Sequence, residues 1–216
     1  MTRTRIKICC ISSTQEASLA IRYGADAIGL VGKMPSGPGP ISDEKIATIV
    51  KKIPPAISTF LLTSETTSGD VILHHRRVNT STIQLVDELE ISEYQKIRSA
   101  LPATKIVQVI HVRDESSIEE ALMVQAHVDA VLLDSGNPKL AVKELGGTGR
   151  VHDWAISRKI RELLSIPVIL AGGLNADNVK QAIITVQPFA VDICSGVRTN
   201  DSLDEKKLEA FFNAVF

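Results

Sequence analysis

Eight times along this chain a short β-branched apolar run gives way to a longer amphipathic one, and that alternation limits the fold more than any other feature. The strand candidates are IKICCI (6–11), AIGLV (27–31), ISTFLL (57–62), TIQLV (82–86), KIVQVI (105–110), AVLLD (130–134), PVILA (167–171) and AVDIC (190–194). Helical patterns such as TQEASLAIRY, SDEKIATIVKK, DWAISRKIRELL and ADNVKQAIITV lie between them, and LDEKKLEAFFNAV closes the chain. A helix after every strand makes successive strands parallel, and eight such units imply an α/β fold closed into a single-domain (β/α)8 barrel over residues 1–216. An open doubly wound sheet would carry a Gly-rich fingerprint after its first strand, and KICCISST has none. The weakest unit is SETTSGDVILHHRRVN, where Gly69 and a Thr/Ser cluster predict a loop before a short helix. Ser42 and Asp114 predict helix starts.

Composition narrows the function classes. With 44% hydrophobic and 23% charged residues the chain can bury a sizeable core. A net charge of −1 gives no electrostatic case for nucleic acid or a membrane surface as partner. No apolar run approaches membrane-spanning length, and the basic MTRTR start is not followed by a signal-type apolar stretch. Three cysteines, two of them adjacent, make neither a disulfide framework nor a zinc spacing, so a reducing cytoplasm is the expected setting.

Within KICCI, strand alternation turns Ile6, Ile8 and Cys10 toward the helices and Lys7 and Cys9 into the barrel. Cys9 then sits near the C-terminal mouth, where barrel enzymes keep their chemistry. An inert buried thiol is the competing reading of Cys9; ionisation needs positive surroundings, which Lys7 can supply. Asp192, inward on the eighth strand beside the first, is placed by strand order to pair with Lys7. Asp134 ends the sixth strand on the inward face, across the barrel from Cys9. Taken alone it reads as a capping aspartate; facing a thiol it suits a proton-shuttling pair. Gly-bearing stretches LGGTGR (145–150), AGGLN (171–175) and CSGVR (194–198) follow strands six, seven and eight. One such stretch is a tight turn; three on consecutive loops of one face point to a bound phosphate. The five histidines form no metal spacing and read as solvated or loop-capping.

Taken in order, KICCI, AVLLDS, LGGTGRVHDW, PVILAGGL and AVDICSGVR resemble the phosphoribosylanthranilate isomerase family, whose counterparts read KICG, LLD, GGTG followed by DW, AGGL and SSGVE. The resemblance covers nearly the whole chain. It implies an Amadori rearrangement in tryptophan biosynthesis on a barrel that uses neither metal nor organic cofactor, as a monomer or homodimer. It further implies Cys9 as general base, Asp134 as general acid, and a phosphate on Gly147, Gly172, Gly173, Ser195 and Gly196.

The chain departs from the pattern at several points. Cys10 stands where the family has glycine. The second loop, MPSGPGPIS (34–42), lacks the arginine that holds the anthranilate carboxylate, and its Pro–Gly steps predict a shaped turn. QLHG becomes QLVD (84–87), and the glutamate of SSGVE becomes Arg198. Arg198 is the expected replacement anchor, ahead of Arg76 and Arg150. The competing functions are a paralogue acting on another phosphorylated sugar derivative and a non-catalytic phosphometabolite binder.

Overall fold

A computed structural model describes residues 3–136 and 151–216. Its strands are β1 (Arg5–Ile8), β2 (Ala27–Val31), β3 (Ser58–Thr63), β4 (Thr82–Leu85), β5 (Lys105–His111), β6 (Ala130–Asp134), β7 (Val168–Leu170) and β8 (Ala190–Ile193). They form a closed barrel in sequence order, every neighbouring pair parallel, with β8 returning to β1. Helices α1 (Thr14–Tyr23), α2 (Asp43–Val50), α3 (Ser68–Val78), α4 (Ile91–Ala100), α5 (Ser116–Val124), α6 (Trp154–Leu163), α7 (Val179–Val186) and α8 (Glu205–Val215) surround it.

Alternation along each strand sorts the side chains into two layers. Ile6, Ile8, Ile28, Leu30, Leu61, Ile83, Val131, Leu133 and Val191 lie between strands and helices. Ala27, Val31, Phe60, Leu62, Val107, Val109, Leu132 and Ile169 fill the lumen. Fully burying a Leu or Ile is worth about 1.5–3 kcal/mol. The outer layer holds most such residues, so the lumen can carry polar groups without losing the fold.

Helix starts follow local chemistry. Ser42 caps α2, its hydroxyl accepting from Lys45 N at 3.3 Å. Asp114 acts one residue earlier than expected: Glu115 is the N-cap of α5, and Asp114 Oδ1 accepts from Ser116 N at 2.8 Å. The weak third unit holds a helix of 11 residues, capped by Thr67. Its two histidines are buried, which corrects the solvated reading, while His75, on a loop carbonyl, fits the loop-capping one. His74 bonds Thr63 and Asp43, and His75 bonds the Thr80 carbonyl at 2.7 Å.

One element had no counterpart in the sequence reading. After a 3-10 turn at Ser195–Val197, a two-stranded ribbon forms from β9 (Arg198–Thr199) and β10 (Ser202–Leu203). Its connecting residues, Asn200 and Asp201, are both left-handed (φ 48° and 60°). Asn and Asp tolerate that conformation best among residues with a Cβ, and two in succession make the tight turn that joins antiparallel strands.

Candidate active site

The mouth of the barrel opens on a pocket of about 670 Å³ including its open side. Cys9, Cys10, Asp134, Gln84, Asp192, Gly172, Gly173, Cys194 and Ser195 line it, with Val31, Met34 and Leu62 as an apolar wall. Its polar members come from strands that are far apart in sequence.

At the floor, β1 and β8 run in register with Lys7 opposite Asp192, and Lys7 Nζ meets Asp192 Oδ2 at 2.8 Å. Lys7 is 1% exposed. Burial works against its ammonium, but Asp192 and the neighbouring Cys9 outweigh that and hold Lys7 above its ordinary pKa. The other carboxylate oxygen, Asp192 Oδ1, is buried without a hydrogen-bond partner.

Cys9 lies one residue past β1 and continues the ladder, its N–H donating to Ile193 O at 2.8 Å. A hydrogen bond from Cys10 lowers the Cys9 thiol most; burial opposes it, and Lys7 adds to the lowering. The net direction is down, toward a thiolate. Room for its sulfur comes from Gly29 on β2, where an added Cβ would stand 2.7 Å from Cys9 Sγ and 3.0 Å from Lys7 Nζ. A glycine inside AIGLV was the available signal, since glycine in a strand marks a close approach.

Asp134, the last residue of β6, lines the same pocket. Burial pushes its carboxyl up, and the N–H of Ser135, donating to Oδ1 at 2.7 Å, offsets that only in part. His111 lies opposite Asp134 in the β5–β6 register and is buried, another departure from a solvated histidine. Its Nε2 bonds the Val86 carbonyl at 3.0 Å, so Nε2 carries the proton. His152 packs at the same corner: burial pulls its pKa down to about 4, and Nε2 bonds Ser157 Oγ at 2.7 Å.

Gly172 and Gly173 follow β7 with φ of +82° and +63°. A Cβ on Gly172 would stand 2.9 Å from His152 Nδ1, 3.1 Å from Ser135 N and 3.2 Å from Asp134 Oδ1. Asn178 braces the loop, donating from Nδ2 to Gly173 O at 2.9 Å and accepting from Asn175 N at 2.9 Å. Gly196 lies behind the pocket, where a Cβ would collide with Leu174 O, so it sets the spacing of the β7 and β8 loops. Gly147 and Arg150 lie outside the described residues.

Two expectations are corrected. Cys10 does not face the helices. The strand ends at Ile8, and Cys10 adopts φ +60°, which swings its side chain into the inner layer beside Cys9. Arg198 does not line the pocket. The ribbon turns it toward Glu16, which its fork grips from NH1 at 3.2 Å and NH2 at 3.0 Å; the same fork holds Cys10 O and Asp201 O. Both terminal nitrogens are therefore committed, Nε is buried without a partner, and no free fork faces a carboxylate. Among the described lining residues none is a lysine or arginine.

The sequence singles out Gln84 only as the first residue of QLVD (84–87). It lines the pocket, is buried, and its Oε1 has no hydrogen-bond partner. Gln108 on the next strand is the contrast: Tyr94 OH donates to its Oε1 at 2.7 Å and its amide donates to three carbonyls.

Residues 6–214 match the family model for N-(5′-phosphoribosyl)anthranilate isomerase. The chain belongs to that family. It is similar to N-(5′-phosphoribosyl)anthranilate isomerase 2 of Methanosarcina mazei, with 37% identity over 96% of this chain and 92% of the relative. Among solved structures it is similar to the phosphoribosyl anthranilate isomerase of Thermotoga maritima, with TM-score 0.84, 29% identity and 98% of both chains covered. A crystal structure of a phosphoribosyl anthranilate isomerase with reduced 1-(o-carboxyphenylamino)-1-deoxyribulose 5-phosphate superposes at TM-score 0.82, with 27% identity and 98% coverage of both chains.

Proposed function

We infer that this chain isomerises N-(5′-phosphoribosyl)anthranilate to the carboxyphenylamino-deoxyribulose phosphate, with Asp134 as general acid and Cys9 as general base. The observation that carries this reading is the opposed tuning of two groups that line one pocket: burial raises the Asp134 carboxyl while its neighbours lower the Cys9 thiol. Environments that separate two titratable groups in this way set up an acid and a base at one pH.

Asp134 protonates the furanose ring oxygen, the ring opens to a Schiff base, and Cys9 removes the C2′ proton to leave an enolamine. Tautomerisation of the enolamine gives the ketone, so the atoms balance without a co-reactant. Gly172, Gly173 and Ser195 form the phosphate end of the pocket, and Gly196 fixes the distance between their loops. Val31, Met34 and Leu62 receive the aromatic ring. Asp192 keeps Lys7 protonated beside Cys9. Free thiols suit a reducing compartment, and we place the enzyme in the cytoplasm.

The test is turnover of freshly generated phosphoribosylanthranilate, together with growth of an isomerase-deficient tryptophan auxotroph. Cys9→Ser and Asp134→Asn should each lower turnover about 10²–10⁴-fold, the usual worth of one acid–base group, with melting temperature unchanged. Wild-type protein that neither turns over the substrate nor supports growth sinks the reading.

A further inference from the structure

The chain has three cysteines, and all three line the active-site pocket, although 184 or more residues separate Cys194 from the other two. The β1–β8 register brings them together, Ile8 standing opposite Ile193 immediately before Cys9 and Cys194. The left-handed turn at Cys10 completes the cluster: its thiol donates to Pro38 O at 3.7 Å, and Cys194 packs against the inner layer that holds Cys9 and Cys10. Cys9 and Cys10 are buried and Cys194 is partly exposed at the mouth. In the proposed catalysis Cys9 alone of the three exchanges a proton with substrate, Cys10 acting through its effect on that thiol, and Cys194 has no part.

We propose that Cys10 and Cys194 form a resolving pair that rescues Cys9 from oxidation by hydrogen peroxide, closing a Cys10–Cys194 disulfide. The proposal rests on Cys9 being a reactive thiolate, as the proposed function requires. Cys9 attacks the peroxide O–O bond, becomes a sulfenic acid and releases hydroxide, which leaves as water. Cys10 then condenses with the sulfenic acid, loses its proton and expels the second water. Adjacent Cα atoms are about 3.8 Å apart, closer than the roughly 4.4–6.8 Å a relaxed disulfide spans, so the Cys9–Cys10 bond is strained. Cys194 relieves it by attacking the Cys10 sulfur, and Cys9 departs as thiolate. In sum, two thiols and one peroxide give one disulfide and two waters.

The arrangement explains two observations that the isomerase chemistry leaves aside. A left-handed position favours glycine, yet carries a cysteine here. The neighbouring Cys194 and Cys9 thiols, and then burial, also hold the Cys10 thiol above its ordinary pKa, so it waits as a thiol until Cys9 is oxidised.

The experiment treats wild type, Cys10→Gly and Cys194→Ser with hydrogen peroxide, then reads intact mass, peptide cross-links and activity before and after dithiothreitol. Wild type should lose two hydrogens, show a Cys10–Cys194 cross-link, leave Cys9 open to alkylation, and recover fully. Cys194→Ser, scaled to its own untreated activity, should instead gain two or three oxygens on Cys9 and lose activity irreversibly several-fold faster. Cys10→Gly, whose Cys9 thiol is less acidic, should form no Cys10–Cys194 cross-link and recover no activity with dithiothreitol once oxidised. A wild-type Cys9 that over-oxidises as fast as in Cys194→Ser overturns the proposal. So does a final cross-link that contains Cys9, or a cluster inert to peroxide. The cross-link in wild type is read by mass alone, so it stands apart from variant folding and from any failure of the isomerase assignment.

Discussion

Two ion pairs join the same seam of the barrel, and they are built to different ends. Lys7 and Asp192 meet at the floor, sealed from solvent, with one carboxylate oxygen of the pocket-lining Asp192 unbonded. Glu16 and Arg198 meet at the rim, where every oxygen of Glu16 is engaged: it accepts from Ser12 N, Ser12 Oγ and Leu203 N as well as from the arginine fork. An unmet buried polar atom costs free energy, so on a pocket-lining carboxylate such as Asp192 it points to a ligand or to a role for its field. A carboxylate as fully engaged as Glu16 acts as a brace. The contrast between Gln84 and Gln108 on adjacent strands follows the same rule.

Breaking the floor pair should have the larger effect. Lys7→Met leaves the Asp192 carboxylate buried without its cation, which costs about 3–5 kcal/mol, readable by urea denaturation. The same change removes a cation beside Cys9, so the thiol pKa rises and the ascending limb of kcat/KM moves to higher pH. Lys7→Met with Asp192→Asn should recover much of the stability but not the position of that limb. A double variant that recovers both would mean the pair serves the fold alone.

At the rim the effect should be smaller and purely structural. Arg198→Ala removes a charge-assisted fork worth about 1.5–3 kcal/mol and loosens the Cys10 carbonyl. Burial pushes the Glu16 carboxyl up, but Arg198 and the N–H groups of Leu203 and Ser12 outweigh it and bring it below its ordinary value. A carboxyl depressed in the folded state contributes stability that is present above its unfolded pKa, near 4.3, and is lost as pH falls through the lower folded value. Arg198→Ala should remove that acid-side slope. It should leave unchanged the preference for phosphoribosylanthranilate over an analogue lacking the carboxylate. A selective loss against the carboxylate would return Arg198 to the pocket.

The smallest expected change is Cys10→Gly. Relief of a left-handed Cβ and the larger entropy of an unfolded glycine oppose each other, each about 1 kcal/mol, so melting should stay close to wild type. A large loss would mean that the Cys10 sulfur, rather than Arg198, holds the turn.

Alternation and strand order determined a great deal in advance. They placed Lys7 and Asp134 on inward faces, set β8 beside β1 so that Lys7 meets Asp192, and ran the glycine loops after β7 and β8 along one rim. Those features follow from period-two side-chain geometry and from closing eight parallel units, both of which can be read from local pattern. Tertiary structure decided the rest. The backbone at Cys10 turned against the left-handed preference for glycine, with its carbonyl held by an arginine far along the chain. The ribbon at Asn200–Asp201 delivered Arg198 to Glu16 instead of to a ligand. His74 and His111 were buried by partners from other elements. Each of these outcomes depends on contacts between residues distant in sequence, and no local pattern carries the energy of a contact whose partner is set only when the barrel closes.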